Sequence, residues 1–216
     1  DDGIWVHLYA GGVASARVAG APVTLTTTTC YPWDGEINLT VDGQGPFALR
    51  LRLPGWCEHW RLSVNDAQLT LGAGVELQNG YLTLRRAWHP GDRVALRLGM
   101  PVRLTHAHPD VRQLAGRVAV ERGPLVYCLE AADHPGEEIE RLAIDAARGG
   151  AALTAAHEHD TLGGATLLRG EGLRLAPPDG LYASSIARAP AALTFIPYYA
   201  WANRGKGAMR VWVRAG

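Results

Sequence analysis

The sequence has 216 residues and a mass of 23.2 kDa, enough for one large all-β domain or two sandwiches of about 100 residues each. Hydrophobic residues make up 47% of the chain and charged residues 19%, which excludes a disordered or collagen-like polymer. Basic and acidic residues each number 21, so no net charge favours nucleic acid or an anionic membrane as a partner.

Apolar and polar side chains alternate along much of the chain with the period of two that is typical of β-strands. In the run 47–53, Phe47, Leu49 and Leu51 predict a face on a core, whereas Arg50 and Arg52 predict a face in water. The alternation predicts antiparallel sheets with one solvated side. In chain order the runs cover residues 4–8, 37–41, 47–53, 82–84, 94–98, 118–120 and 209–213.

Turn residues separate these predicted strands. Asn79 and Gly80 predict a tight hairpin corner before the strand that contains Leu82. Both residues tolerate the positive φ that such a corner requires.

A change in pattern marks a boundary near the middle of the chain. Pro101, Pro109 and Gly116 interrupt the alternation, because proline cannot donate to a strand ladder. We therefore predict two domains, at residues 1–105 and 106–216.

The second half has fewer clear strands. Residues 117–130, 193–201 and 208–214 predict strands. Residues 137–148 fit either an insertion helix or a ragged pair of strands, and residues 151–180 predict long loops with short edge strands. The fold class that we predict is all-β, with two tandem antiparallel β-sandwich domains of jelly-roll type.

Several carboxylates lie beside aromatic or apolar runs. A glycosidase needs two carboxyl groups roughly 5 to 9.5 Å apart, but sequence spacing cannot establish that distance. Within strands and turns, Asp34, Glu36, Glu121 and Glu130 are better interpreted as turn residues, outward positions or arginine partners.

The cysteines do not form a metal or redox motif. Cys30, Cys57 and Cys128 are widely spaced and include no C-x-x-C pair. Inert thiols are therefore expected, although a Cys30–Cys57 disulfide stays open for an exported protein.

Two histidine pairs have the H-x-H spacing that places both rings on one side of a strand. They are His106 with His108, and His157 with His159. Because neither pair has an assignable third ligand, we predict exposed, structurally neutral histidines and no metal site.

Aromatic residues accompany polar residues in three places, a combination that suits the apolar face and hydroxyl edge of a sugar. The alternative is packing against a core or a domain interface, which we favour. The candidate contacts are Trp33, Asp34, Trp56, Tyr198, Tyr199, Trp201, Asn203 and Arg204.

Other function classes lack their sequence motifs. No G-x-S-x-G elbow, P-loop or strand-linked G-x-G-x-x-G occurs, so the hydrolase-elbow and nucleotide-binding classes are excluded. No apolar run approaches the length of a membrane helix, and the acidic start at Asp1 and Asp2 is not a signal peptide. We expect a cytoplasmic location unless an export signal lies upstream.

Six motifs in a fixed order span nearly the whole chain. They are DGIWVHLY at 2–9, YPWDG at 31–35, LPGWC at 53–57, MPVR at 100–103, ERGPLVYC at 121–128 and PYYAWANRG at 197–205. Together they resemble the C-terminal region of glycoside hydrolase family 127, which includes β-L-arabinofuranosidases.

This resemblance implies an (α/α)6 barrel followed by β-sandwich domains, with catalysis in the barrel. The family uses a zinc-bound cysteine nucleophile, further cysteine and glutamate zinc ligands, and a glutamate acid/base in a retaining mechanism. Zinc keeps the sulfur deprotonated near neutral pH and therefore nucleophilic. The family's adjacent cysteine pair lies just upstream of the segment matched by residues 2–9, so zinc is expected only in the missing barrel and no catalytic role passes to this chain.

We therefore predict a non-catalytic C-terminal module of a retaining glycosidase. Its expected partner is the N-terminal catalytic barrel, a homodimer is left open, and nucleic acid and membrane partners are not expected. The alternative is a carbohydrate-binding module whose aromatic platform includes Trp33, Trp56 or Trp201.

Overall fold

The computed structural model describes residues 2–161 and 163–216, so Asp1 and the part of the 151–180 prediction that falls on Leu162 lie outside the described residues. Contacts divide the chain into two units, Asp1–Met100 and Pro101–Gly216. Strands and short 3₁₀ turns form the regular structure of the described residues, which confirms the all-β, two-domain prediction. None of their helical segments has the length and apolarity needed to cross a bilayer.

The division follows from strand pairing near the predicted boundary. The strand Val102–His106 pairs antiparallel with Arg117–Arg122, so residues 102–105, which the sequence pattern assigned to the first domain, lie in the second unit.

Ten strands build the first unit. The sheet order is β1-β5-β9-β8-β7-β6-β10-β4-β3-β2. The strands are β1 Gly3–Val6, β2 Gly12–Val18, β3 Ala21–Thr29, β4 Glu36–Asp42, β5 Gly45–Arg52, β6 Trp60–Val64, β7 Ala67–Leu71, β8 Gly74–Gln78, β9 Tyr81–Trp88 and β10 Asp92–Leu98.

The first core joins both ends of this strand order. Leu49 and Leu82, from β5 and β9, belong to the same buried cluster as Leu39 and Leu96, from β4 and β10. The continuous sheet therefore forms two layers with their apolar faces together. Trp88 is fully buried in this cluster and donates its Nε1–H to the Phe47 carbonyl at 3.0 Å, which satisfies its one polar group.

The predicted hairpin at Asn79 and Gly80 is confirmed. Their φ values are 51° and 78°, and Gln78 pairs with Tyr81 across the corner. Asn65 also has a positive φ, 49°, at the corresponding corner between β6 and β7.

The prediction for one face of β5 was wrong at Arg50, whereas Arg52 on the same face is exposed as predicted. Arg50 was expected in water, yet it is only 7% exposed. Its guanidinium donates to both Asp2 carboxylate oxygens, at 3.0 and 2.6 Å, and lies 4.5 Å from the centre of the Trp5 ring. Since β1 lies beside β5, residues outside the periodic run cover this arginine.

Nine strands build the second unit. They are β11 Val102–His106, β12 Arg117–Arg122, β13 Leu125–Glu130, β14 Leu142–Ile144, β15 Leu153–Glu158, β16 Ala165–Leu175, β17 Arg188–Pro197, β18 Met209–Arg210 and β19 Trp212–Ala215. The main order is β11-β12-β19-β14-β16-β17-β13-β18, and β15 pairs with β16. An additional β12–β13 pairing closes six of these strands into a ring around the second core.

Most strand pairs are antiparallel, as predicted, but three pairs are parallel. They are β1 with β5, β7 with β8, and β14 with β19. Side-chain alternation predicts which face a residue takes but not the direction of the neighbouring strand, so these pairs had no sequence signal.

Two segments of the second unit differ from the simplest sequence interpretation. Residues 137–148 contain strand β14 between 3₁₀ turns at Ile139–Arg141 and Ala146–Ala152, so the helix alternative is wrong. Residues 151–180 contain the eleven-residue strand β16, where mostly loops were predicted. A Cβ at Gly172 would lie 2.4 Å from the Ala143 carbonyl oxygen, so glycine there permits close strand approach and does not mark a loop.

Candidate functional site

An exposed aromatic surface follows strand β17. Tyr198, Tyr199 and Trp201 are 44%, 53% and 40% exposed. The rings of Tyr198 and Trp201 are inclined by only 16°, with centroids 6.4 Å apart. We call residues 198–205 the aromatic loop. The nearly parallel faces of these two rings are partly exposed on the surface of the second unit.

Two acidic residues, Glu130 and Asp133, anchor the aromatic loop by binding its Arg204. The Arg204 guanidinium donates to Asp133 Oδ1 and Oδ2, at 2.6 and 2.5 Å, and also donates to Glu130 Oε2. Glu130 is almost completely buried at the end of β13, and Asp133 lies in the turn that follows. The hydrogen bonds that Arg204 donates to Asp133, and then to Glu130, raise the pKa of Arg204, which therefore stays charged.

The backbone of the aromatic loop is fixed by the same carboxylate. Ala202 donates its N–H to Glu130 Oε1 at 2.7 Å and has a φ of 62°. Asn203 donates its side-chain amide to the Ala200 carbonyl at 3.0 Å. Asn203 and Arg204, two predicted contacts, thus direct these polar groups inward and preorganise the exposed rings.

Sequence reasoning missed Asp133 and the ion pairing that it completes. Glu130 and Asp133 are three residues apart after a buried strand, but their arginine lies about 70 residues further along the chain. No local pattern could connect groups at that separation.

The other predicted contacts lie in the first unit. Trp33 is 46% exposed on the loop between β3 and β4. Asp34 Oδ1 accepts the Glu36 backbone N–H at 2.9 Å, a local turn contact. A Cβ at Gly35 would lie 2.0 Å from the Leu98 carbonyl oxygen, so only glycine allows this loop to approach the end of β10 so closely.

Trp56 has a different environment from Trp33. It is half-buried and packs against the first core, as does Tyr31, whose pKa burial raises. Tyr31 also makes an edge contact with Tyr9, with ring centroids 5.8 Å apart. Trp56 therefore follows the packing interpretation, whereas Trp33 presents an exposed ring.

The carboxylates considered for acid–base chemistry have structural partners. Glu36 pairs with Arg97 at 3.3 Å, and Glu121 pairs with Arg103 at 3.1 Å. Together with the pairing of Glu130, these contacts confirm the interpretation as arginine partners.

The three thiols do not converge. Cys30 is exposed, whereas Cys57 and Cys128 are buried, and all three are free. Burial raises the pKa of Cys57, and it raises that of Cys128 to about 12. Both buried thiols therefore stay protonated at neutral pH, and a protonated thiol is neither a good nucleophile nor a good zinc ligand.

The histidine pairs have local contacts. The rings of His157 and His159 meet edge to face, with centroids 4.7 Å apart, and His108 lies 3.5 Å from the Asp110 carboxylate. Within residues 2–161 and 163–216, no group of three or more His, Cys, Asp or Glu side chains is arranged to hold a metal ion.

Two models of known protein families match nearly the entire chain. Residues 3–100 match the family model described as the β-L-arabinofuranosidase, GH127 middle domain. Residues 102–214 match that of the glycoside hydrolase family 127 C-terminal domain. The chain belongs to glycoside hydrolase family 127. These two matches correspond to the two compact units.

Individual members of family 127 are also similar to this chain over nearly its whole length. The non-reducing end β-L-arabinofuranosidase of Bifidobacterium longum subsp. longum is 34% identical, over 94% of this chain and 32% of that protein. The crystal structure of a family 127 β-L-arabinofuranosidase from Geobacillus stearothermophilus T6 has a TM-score of 0.91 and 38% identity, over 100% of this chain and 34% of that one.

A further solved structure, of a family 127 β-arabinofuranosidase, has a TM-score of 0.86 and 30% identity, over 100% of this chain and 35% of that one. The chain therefore spans about a third of the length of these relatives.

Proposed function

We propose that the chain is a non-catalytic pair of β-domains that supports the catalytic barrel of an enzyme resembling β-L-arabinofuranosidase. One observation carries this proposal: the chain matches the family's middle and C-terminal domains and spans about a third of its relatives. The arginine pairing of Glu36, Glu121 and Glu130 also supports it, because these carboxylates serve the fold.

The zinc of the family's chemistry belongs, in this proposal, to polypeptide outside this chain. The residues here do not fit it, because Cys57 and Cys128 are buried and protonated and the exposed Cys30 belongs to no metal-binding group of described residues. The barrel would supply its own thiolate and carboxylate ligands, and the two β-domains would supply packing surface.

Activity measurements test this division of labour. We expect no hydrolysis of an aryl β-L-arabinofuranoside by the 216-residue chain, with or without added zinc, and hydrolysis by the longer parent protein. Zinc-dependent turnover by the chain alone would refute the proposal. Light scattering of both proteins would show whether these domains also mediate homodimerisation.

A second candidate function is sugar binding by the aromatic loop. The observation in its favour is the pair of exposed, nearly parallel rings of Tyr198 and Trp201, which the Arg204 contacts hold in place. Such rings can pack on the apolar face of a sugar. Calorimetric titration with arabino-oligosaccharides should detect binding that Trp201→Ala abolishes. Tyr182→Ala is the matched control, because Tyr182 is an exposed aromatic residue outside the loop.

A further inference from the structure

A groove of about 360 Å³ lies on the outer face of β4, β10 and β6, away from the first core. Its centre is a row of short side chains, because Ala95 pairs with Asn38 on one side and with Ser63 on the other. Longer side chains, including Arg61 and Arg97, form the walls. A small floor between long walls makes this part of the sheet concave.

The groove continues at both ends. Beyond Asn38 and Ser63 it reaches Thr40 and Arg93, and beyond the two wall arginines it reaches Gly99. Arg93 and Arg97 both line it on β10, a span of about 13 Å at the usual rise per strand residue. That length suits several linked sugar rings better than one small molecule.

Unused hydrogen-bonding groups converge on this groove. Among the described residues, the side chains of Asn38, Arg61, Ser63 and Gln68 make no hydrogen bond or ion pair. The two amides and the hydroxyl both donate and accept hydrogen bonds, whereas the guanidinium only donates them. Between these polar side chains, the methyl group of Ala95 forms an apolar floor on the sheet. This combination, an apolar floor with a few polar groups, is typical of small-ligand sites.

The charges of the groove are nearly balanced. Arg97 pairs with Glu36 at 3.3 Å, and Arg93 pairs with Asp66 at 3.4 Å. The remaining charge is Arg61, directly opposite Arg97 on the neighbouring strand. A single unpaired guanidinium can bind adjacent hydroxyl groups, but it does not form the cationic surface that a polyanion needs.

Other kinds of occupant fit less well. Strands β4, β10 and β6 have paired neighbours on both sides, so a peptide cannot bind here by adding a strand. The large exposed hydrophobic residues of the described chain lie elsewhere, whereas protein interfaces concentrate aromatic and apolar side chains at their centres.

From this geometry we propose that the groove binds a segment of a neutral oligosaccharide, with Asn38, Arg61, Ser63 and Gln68 as hydrogen-bonding contacts and Ala95 as the apolar floor. The site goes beyond the proposed supporting function and does not depend on it. It also lies in the first unit, whereas the aromatic loop lies in the second.

Nitrogen-15 NMR titration of the 216-residue chain with a neutral arabinotriose tests the site directly. We expect saturable shifts of backbone amides on β4, β6 and β10. Asn38→Ala and Arg61→Ala should each weaken binding by three- to tenfold. Ala95→Leu should fill the floor and weaken binding at least tenfold. Its matched control is Ala87→Leu, because Ala87 is an exposed alanine on strand β9 outside the groove.

Circular dichroism and thermal unfolding establish that each variant is folded before its affinity is compared. Four outcomes measured on the 216-residue chain would overturn the proposal: no saturable shifts, shifts confined to the aromatic loop, equal effects of the two alanine-to-leucine changes, or binding only of an acidic trisaccharide. Binding by this chain but not by the longer parent protein would also overturn it, because the face would then be covered by another domain.

Discussion

Arg204 provides the clearest test of how the second unit holds its aromatic loop. Replacing it with alanine removes three hydrogen bonds to Glu130 and Asp133. Hydrogen bonds to charged groups contribute about 1.5–3 kcal/mol each, and removing one partner of a buried ion pair costs about 3–5 kcal/mol.

We expect a loss of about 3 kcal/mol for Arg204→Ala, the lower end of that range, because water can still reach part of the site. The side chains of Arg204 and Asp133 are 24% and 12% exposed, whereas that of Glu130 is 4% exposed. For a domain of this size the loss corresponds to a fall in Tm of about 10 °C.

Hydrogen exchange detected by mass spectrometry can assign the loss to the second unit. Exchange of the amides of β13 and of residues 198–205 should accelerate in Arg204→Ala. Arg210→Ala is the control, because the Arg210–Glu140 pair has a similar contact distance, 2.8 Å, but is nearly half exposed on both sides. Such exposed pairs contribute about 0–1 kcal/mol.

A second substitution distinguishes lost attraction from an uncompensated buried charge. Adding Glu130→Gln to Arg204→Ala should recover part of the stability, because the buried carboxylate is then removed as well. If Arg204→Ala costs no more than Arg210→Ala, the loop is not held by this ion cluster and the reasoning is wrong.

Three further predictions concern packing, a buried hydroxyl and the thiols. Gly35→Ala should lower the free energy of urea unfolding by at least about 2 kcal/mol, because its Cβ would lie 2.0 Å from the Leu98 carbonyl oxygen. Gly55→Ala is the control: a Cβ there has no neighbour within 4 Å, so the same free energy should change by less than about 0.5 kcal/mol. The Tyr127 side chain is fully buried, and Tyr127→Phe removes its titrating hydroxyl. Burial raises the pKa of Tyr127 from 10.0 to about 12. The unfolded chain therefore releases this proton first, and stability should fall as pH rises between these values in the native protein but less in the phenylalanine variant. Only Cys30 should react with a thiol reagent in the folded protein, and all three cysteines in denaturant; rapid reaction of Cys128 would contradict its burial.

The strands were predictable where burial acts on one face only. In β4 and β10 every second residue is buried, and the sequence shows the same alternation. Tight corners such as Asn79–Gly80 were also predictable, because the conformation requires those residue types.

Features that depend on distant segments were not predictable. Arg50 is buried because Asp2 and Trp5, in and just before β1, cover it, and β16 is a strand because it pairs with β14, β15 and β17. The closing β12–β13 pairing and the groove on the first unit depend on strand order, which period-two alternation leaves open.

The same limit applies to the candidate contacts. The sequence offered Trp33, Tyr198 and Trp201 as candidate contacts but favoured packing for them, and it did not show that Arg204 faces inward toward acidic residues. Direction and partner are set by tertiary contacts, which carry no local signature.

Strand order also affects how this polypeptide can mature on the ribosome. In each unit the strand that is made last occupies an interior position: β10 lies between β6 and β4, and β19 lies between β12 and β14. Neither sheet can be completed until that strand has left the exit tunnel. The first unit can therefore mature while the second is still being translated, whereas the second must wait for its final residues.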